Sequence, residues 1–423
     1  MQIQLKNLSD TDIRIGWTLL CLHIFFMYAR PQEMLTFLRP LHLPGLVALG
    51  LTAWVLKNFD KQSFQIPSAR FVLIFGGLSL ISFAWATHTI AITIGITWLI
   101  QYLPVTLAVI LLVRERTKYK TLLYLWCSVH AVVFFMVFKN GGKGPGDFMA
   151  DENDAALGIA MAIPIILYFS SWPDLNARQK LFLKLLFLVA CAAIIATRSR
   201  GGFLGLVTAM GMLWLFSESK MKILFVSLIL TLTLGSIALS FLPEGYIEDL
   251  QGISDPNDNT RSERIETWEI AWIMFKDNFL FGVGAGNFPW NVASYQEQAS
   301  WWFADARSLH GRQTHSLYFQ LLADLACVGL FIYFAFLFKT MALLYKAQKK
   351  VYGISKKKEH ADLNTIKGLG MMCRALYISI FPFFISGAFI SVGYYPHIVM
   401  WGTLAYSTLY ILNQYTDSEA YKK

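Results

Sequence analysis

Apolar residues fill this chain in long stretches, separated by short polar interruptions. Segments near 13–29, 43–57, 71–87, 90–113, 121–138, 155–171, 181–197, 202–217, 222–242, 316–338, 373–393 and 397–413 are each predominantly apolar. A hydrocarbon core about 30 Å thick takes about 20 such residues as a helix, since a helix satisfies its own main-chain groups in lipid. The pattern predicts an all-α integral membrane protein of about twelve transmembrane helices, the shorter of which tilt less or sit where the bilayer is thin. One long hydrophilic loop interrupts the pattern. It divides the chain into N-terminal helices (1–120), central helices (121–242), the loop itself (243–314) and C-terminal helices (315–423).

Composition agrees with this reading: 56% of residues are hydrophobic, only 15% are charged, and mean hydropathy is +0.48. A net charge of +9 would by itself suit a nucleic-acid partner. The positions of the charges exclude one. Lys57, Lys61 and Arg70, then Arg114, Arg116, Lys118 and Lys120, then Arg178, Lys180 and Lys184, then Lys220 and Lys222 all fall in loops of one parity. The stretch 339–374, with Lys356, Lys357 and Lys358, shares that parity. Basic residues near helix ends are retained in the cytoplasm, which places both termini inside and segments 139–154, 198–202 and 243–314 outside. The first apolar stretch lacks a small-residue cleavage site and is expected to remain as a helix. Five cysteines, Cys21, Cys127, Cys191, Cys327 and Cys373, stand singly, as small buried hydrophobes do, without metal-ligand spacing. No internal repeat suggests a transporter built from inverted halves.

The candidate chemistry lies on the outer side. Arg198 and Arg200 sit in a turn between two apolar helices, either as snorkelling interfacial arginines or, against the positive-inside bias, as functional ones. In the loop, Thr260 and Glu263 have capping-box spacing, so a helix is expected from about Arg261. Ile265, Trp268, Trp272, Phe275 and Phe279 give it an apolar stripe suited to a membrane interface. Arg261 and Arg264 share its first turn, where free amides and guanidinium forks favour phosphate oxygens. Salt bridges to Glu263 or Glu266 on a solvated face are the other reading. Gly282, Gly284 and Gly286 follow without a preceding strand or nucleotide-loop spacing, and are read as a tight re-entry of the chain toward the membrane.

His315 opens the next helix, where an imidazole can accept a hydroxyl proton or hydrogen-bond to phosphate; His310 competes for that role. Asp324, nine residues further, needs a buried partner, for which Arg198 or Arg200 is a candidate. Asp147, Asp151, Glu152 and Asp154 cluster where acidic residues cap a helix N-terminus. Trp290, Trp301, Trp302 and Phe303 suit sugar stacking and an interfacial belt equally. Arg30-Pro31-Gln32-Glu33 forms a polar outer turn without an assigned role.

Together these features resemble the superfamily of O-antigen ligases and Wzy-type polymerases. The resemblance rests on Ser199-Arg200-Gly201, Arg264 four residues before Trp268, Asn278-Phe279-Leu280-Phe281-Gly282-Val283-Gly284, His315-Ser316-Leu317-Tyr318 and Asn153-Asp154-Ala155-Ala156, and is best over 147–338. Ser316 replaces a common Asn and Phe279 a common Pro. The resemblance implies a GT-C-like membrane glycosyltransferase without metal or cofactor, in a Gram-negative inner membrane with a periplasmic site. Its donor is a glycan on undecaprenyl diphosphate. Ligation to lipid A-core in lipopolysaccharide biosynthesis is favoured over repeat-unit polymerisation or transfer to a protein hydroxyl, with a transporter or flippase as the more distant alternative. His315, Arg200 and Arg264 are then the catalytic candidates, Arg198 and Arg261 further diphosphate ligands, and His310, Asp324 and Asp154 secondary candidates.

Overall fold

The computed structural model describes residues 5–217, 219–221, 225, 229, 259–303, 307–357 and 362–417, and the regular structure among them is helical throughout. The first half contains α1 (Asp10–Tyr28), α2 (Pro31–Met34), α3 (Leu43–Lys57), α4 (Pro67–Ile81), α5 (Ile90–Ile96), α6 (Leu103–Leu112), α7 (Arg116–Lys139), α8 (Glu152–Phe169), α9 (Ala177–Ala196) and α10 (Arg200–Leu215). The second contains α11 (Asn259–Asp277), α12 (Phe288–Tyr295), α13 (Leu317–Asp324), α14 (Ala326–Lys357), α15 (Leu363–Gly387) and α16 (His397–Asp417). Eight helices among the described residues are long and apolar enough to cross a membrane. This is an integral membrane protein. The expected span at 222–242 lies outside the described residues.

Small residues set the centre of the bundle. A Cβ on Gly202 of α10 would strike Ala156 of α8, and one on Gly205 would strike Ser386 of α15, so the three backbones approach closely. Ser386 Oγ donates to the Gly201 carbonyl at 2.9 Å and pins the start of α10 to the end of α15.

Between α5 and α6 the chain widens into a π-helical segment, Thr97–Tyr102. Pro104 explains it: proline has no N–H for the Ile100 carbonyl, and the Thr52 hydroxyl on α3 supplies a replacement at 3.2 Å.

The expected single helix over 316–338 is two helices. The chain turns at Leu325 and Ala326, the latter at φ 46°. The groups orphaned by the break are stitched to the glycine turn. Val283 and Gly284 amides donate to the Ala323 and Asp324 carbonyls, and Cys327 and Val328 amides donate to the Phe279 and Leu280 carbonyls, over 2.8–3.2 Å. Gly282, Gly284 and Gly286 all have positive φ, and a Cβ on Gly282 would meet the Ala323 and Asp324 backbone.

The bundle has two chemically distinct ends. At one, Lys57 pairs with Asp12, Arg116 with Asp174, Arg114 donates to the Leu5 and Lys6 carbonyls, and the Lys6 amide donates to Asp60. The other gathers the ends of α1, α9 and α15, the starts of α8 and α10, and the helices of the loop.

Candidate active site

A cavity of about 580 Å³ opens at that second end. One wall comes from Gln313 and His315 at the end of the loop and Gln320 of α13, braced from behind by the loop helix α11. Trp268 Nε1 donates to the Thr314 carbonyl at 2.8 Å, and its ring stacks on Phe319 with centroids 5.1 Å apart. Thr314 is held further by Ser391, at 3.0 Å between hydroxyls. The next residue, His315, therefore has its backbone fixed on both sides; it adopts φ 46° and its side chain lines the cavity. Arg264 lies one helical turn before Trp268, with its guanidinium over the ring of Phe389, another lining residue, at 5.8 Å. The Arg-x-x-x-Trp spacing is thus the device that puts a cation beside His315.

That juxtaposition has an electrostatic signature. Desolvation by the surrounding protein lowers the His315 pKa below its usual 6.5, and the Arg264 and Arg312 cations lower it further, against opposing pulls from Glu263 and Asp151. His315 is therefore neutral at pH 7. The Glu263 carboxylate is engaged by Arg312 at 3.1 Å and Arg307 at 3.7 Å, and Glu266 by Arg307 at 3.0 Å.

A second wall is the α8 entrance. Asp151 caps α8 by accepting from the Asn153 amide at 2.8 Å, as expected of that acidic cluster. Asn153 in turn accepts from Ser199 Oγ at 2.6 Å, while Ser199 caps α10 by accepting from the Gly202 amide at 2.9 Å. The Ser-Arg-Gly motif is consequently tied to the cavity lining through its serine. Arg198, at φ 55°, and Arg200 are both exposed beside this junction and do not line the cavity. Asp154 does line it, 8% exposed, with the Tyr395 hydroxyl at 3.4 Å.

A third contributor carries no recognisable motif. Arg30, at φ 46° immediately before Pro31, lines the cavity; Glu33 bridges it at 3.4 Å to Arg39 at 3.0 Å. A non-glycine residue held in the left-handed region marks a site where surrounding structure overrides local preference. The polar turn at 30–33 was the available signal, but nothing local ties it to α8 or His315.

Other expectations are corrected. Asp324 does not pair with Arg198 or Arg200. It is 1% exposed and accepts from the Phe288 amide at 2.9 Å, the Gly286 amide at 3.0 Å and the Tyr394 hydroxyl at 3.0 Å, capping α12 and locking the glycine turn. Amide donors satisfy a buried carboxylate without the cost of desolvating a second charge. His310 lies outside the cavity, edge-on to Trp290, which stacks on His88 with centroids 3.8 Å apart. The face of α11 that packs inward is Thr267, Ile270, Ala271 and Met274, and Ile265, Trp272 and Phe279 of the stripe suited to a membrane interface are exposed. The side chains of Thr260, Arg261 and Asp147 lie outside the described residues. All five cysteines are unpaired, and three of them are buried.

Residues 185–334 match the family model Wzy_C, described as O-antigen ligase. Over this segment the chain is similar to the O-antigen ligase-like superfamily. No curated protein matches the chain. The matched segment contains Ser199, Arg200, Arg264, Trp268, the glycine turn and His315, while Arg30, Asp151, Asp154 and Tyr395 enter the cavity from outside it.

Proposed function

We propose that this O-antigen-related membrane enzyme is a GT-C-like glycosyltransferase with about twelve transmembrane helices. It transfers an O-antigen polysaccharide from undecaprenyl diphosphate to lipid A-core, without a metal ion, at the periplasmic face of a Gram-negative inner membrane. Both termini are cytoplasmic, beside the basic end of the bundle. The 243–314 loop forms the phosphate-binding cover of a chamber whose remaining walls are the helices of 1–120, 121–242 and 315–423.

The observation that carries this reading is a neutral His315 imidazole lining the cavity with the Arg264 cation close behind it, stacked over the lining residue Phe389 and acting on the imidazole electrostatically. In the transfer, an acceptor sugar oxygen bonds to the anomeric carbon, the bond from that carbon to the diphosphate oxygen breaks, and His315 takes the acceptor's proton. The electron pair leaves with the diphosphate, and Arg264 and Arg200, with Arg198 and Arg261, stabilise its growing charge. As a base His315 governs turnover with donor binding intact. As a phosphate ligand it governs binding as well.

Deletion of the gene tests the acceptor. Ligation predicts accumulation of long unligated chains on the lipid carrier, whereas lipid A-core capped with single repeats identifies a polymerase and contradicts the proposal.

A further inference from the structure

The cavity is chemically divided. Arg30, Asp151 and Asp154, and the neutral His315 beside the Arg264 cation, belong to the ends of helices and their loops. The rest of the lining, toward the bundle interior, includes His23 from α1 and Thr93, Thr97, Trp98 and Gln101 from α5 and the π segment, and none of these carries a fixed charge. His23 lies five residues before the end of α1, about 7.5 Å down the helix.

Two polar atoms on this floor have no partner among the described residues: Nε2 of His23, which is 5% exposed, and Nε1 of Trp98, which is 0% exposed. His23 contacts the main chain of Gln101 through its ring as well, and Trp98 is clamped between aromatic rings, at 4.7 Å from Phe75 and 5.5 Å from Tyr102. Both are therefore rigid. Buried polar groups are ordinarily satisfied, and π segments recur where a fold has been opened for function. A rigid indole donor, an imidazole and an amide, flanked by rings and free of fixed charge, match an uncharged hydroxyl-bearing ring rather than a phosphate.

We propose that the floor is a saccharide subsite: His23, Trp98 and Gln101 hydrogen-bond the hydroxyls of an uncharged sugar that sits inward of the diphosphate. The inference rests on the glycosyl-transfer reading, and the sugar belongs either to the donor, next to its diphosphate, or to the acceptor.

Full-length protein in lipid nanodiscs tests it, with retention of two probes read by native mass spectrometry: undecaprenyl-diphosphate-linked O-antigen and lipid A-core, both extracted from cells lacking the enzyme. Trp98→Phe and His23→Phe remove the polar atoms while keeping ring volume, and thermal unfolding reports whether each variant is folded. The double variant is expected to lose about tenfold in retention of one probe, which identifies the source of the sugar, and to keep the other. Unchanged retention of both probes by folded variants overturns the subsite, as does an equal loss of both. Should the double variant not fold, Gln101→Leu carries the same expectation and the same contrary result. Native protein that retains neither probe overturns the transfer reading together with the subsite, whereas retention by native protein with unaffected variants overturns the subsite alone.

Discussion

The segment 185–334 and the helices before it contribute to one cavity in different ways. The matched segment works through local devices: a serine cap at Ser199, a tryptophan one turn from Arg264, and a glycine turn laced to a helix break. Of the preceding elements, α8 adds a local device, the Asp151 cap, whereas α1, the turn after it and the π segment contribute through placement alone. Arg30, His23 and Trp98 acquire their surroundings from how α1, α5 and α8 pack, and no spacing in their own neighbourhood announces it. The comparison teaches that the recognisable motif is one side of a chamber whose other side is specified only by tertiary structure.

The strongest way to break that comparison is His315→Ala, expected to lower glycan transfer by about 10² to 10⁴-fold, measured as turnover with purified protein. Retained donor binding marks a base; lost binding marks a phosphate ligand. Full activity would remove the matched segment from the chemistry.

This asymmetry also sets what was legible from sequence. Membrane embedding and the grouping of Arg264 with His315 follow from hydropathy and motif order. The partners of Asp324 are not legible in the sequence, because two of them are main-chain amides at 286 and 288, which leave no mark in composition, and the third, Tyr394, is 70 residues away. The break at Leu325 was invisible for the same reason: apolar residues run straight through it. The inward face of α11 left no signal, because small or polar residues such as Thr267 and Ala271 pack there while Ile265 and Trp272 of the apolar stripe are exposed. The polar turn of Arg30 carries no motif that reports its place in the cavity lining.

The second test is structural. Gly282→Ala forces a left-handed alanine against the backbone of Ala323 and Asp324 and is expected to cost about 2–4 kcal/mol, read as a lower thermal midpoint. An unchanged midpoint would mean that the glycine turn does not hold the break between α13 and α14.

Next, Arg30→Ala sharpens the contrast between the regions. A cation of the cavity lining that lies outside the motif segment should assist the diphosphate less than Arg264, so transfer is expected to fall about tenfold, against about 10² to 10³-fold for Arg264→Ala. Equal losses would show that the two sides share the work evenly.

The smallest expected effect is in the pH profile. Because burial and Arg264 hold the His315 pKa below 6.5, activity that needs neutral imidazole is complete at pH 7 and is lost as pH falls through that lowered value. Arg264→Gln removes one of the depressing charges and should move the acid limb upward in the residual activity. A limb that stays in place would separate the two residues electrostatically.

The central claim, that His315 and Arg264 serve glycosyl transfer from a lipid diphosphate, is tested most directly by reconstitution. Purified native protein and His315→Ala would each be supplied with undecaprenyl-diphosphate-linked O-antigen and lipid A-core in the presence of a chelator. The account predicts that native protein forms the ligated product and the variant does not. Transfer that requires added divalent metal, or that proceeds undiminished in the variant, would contradict it.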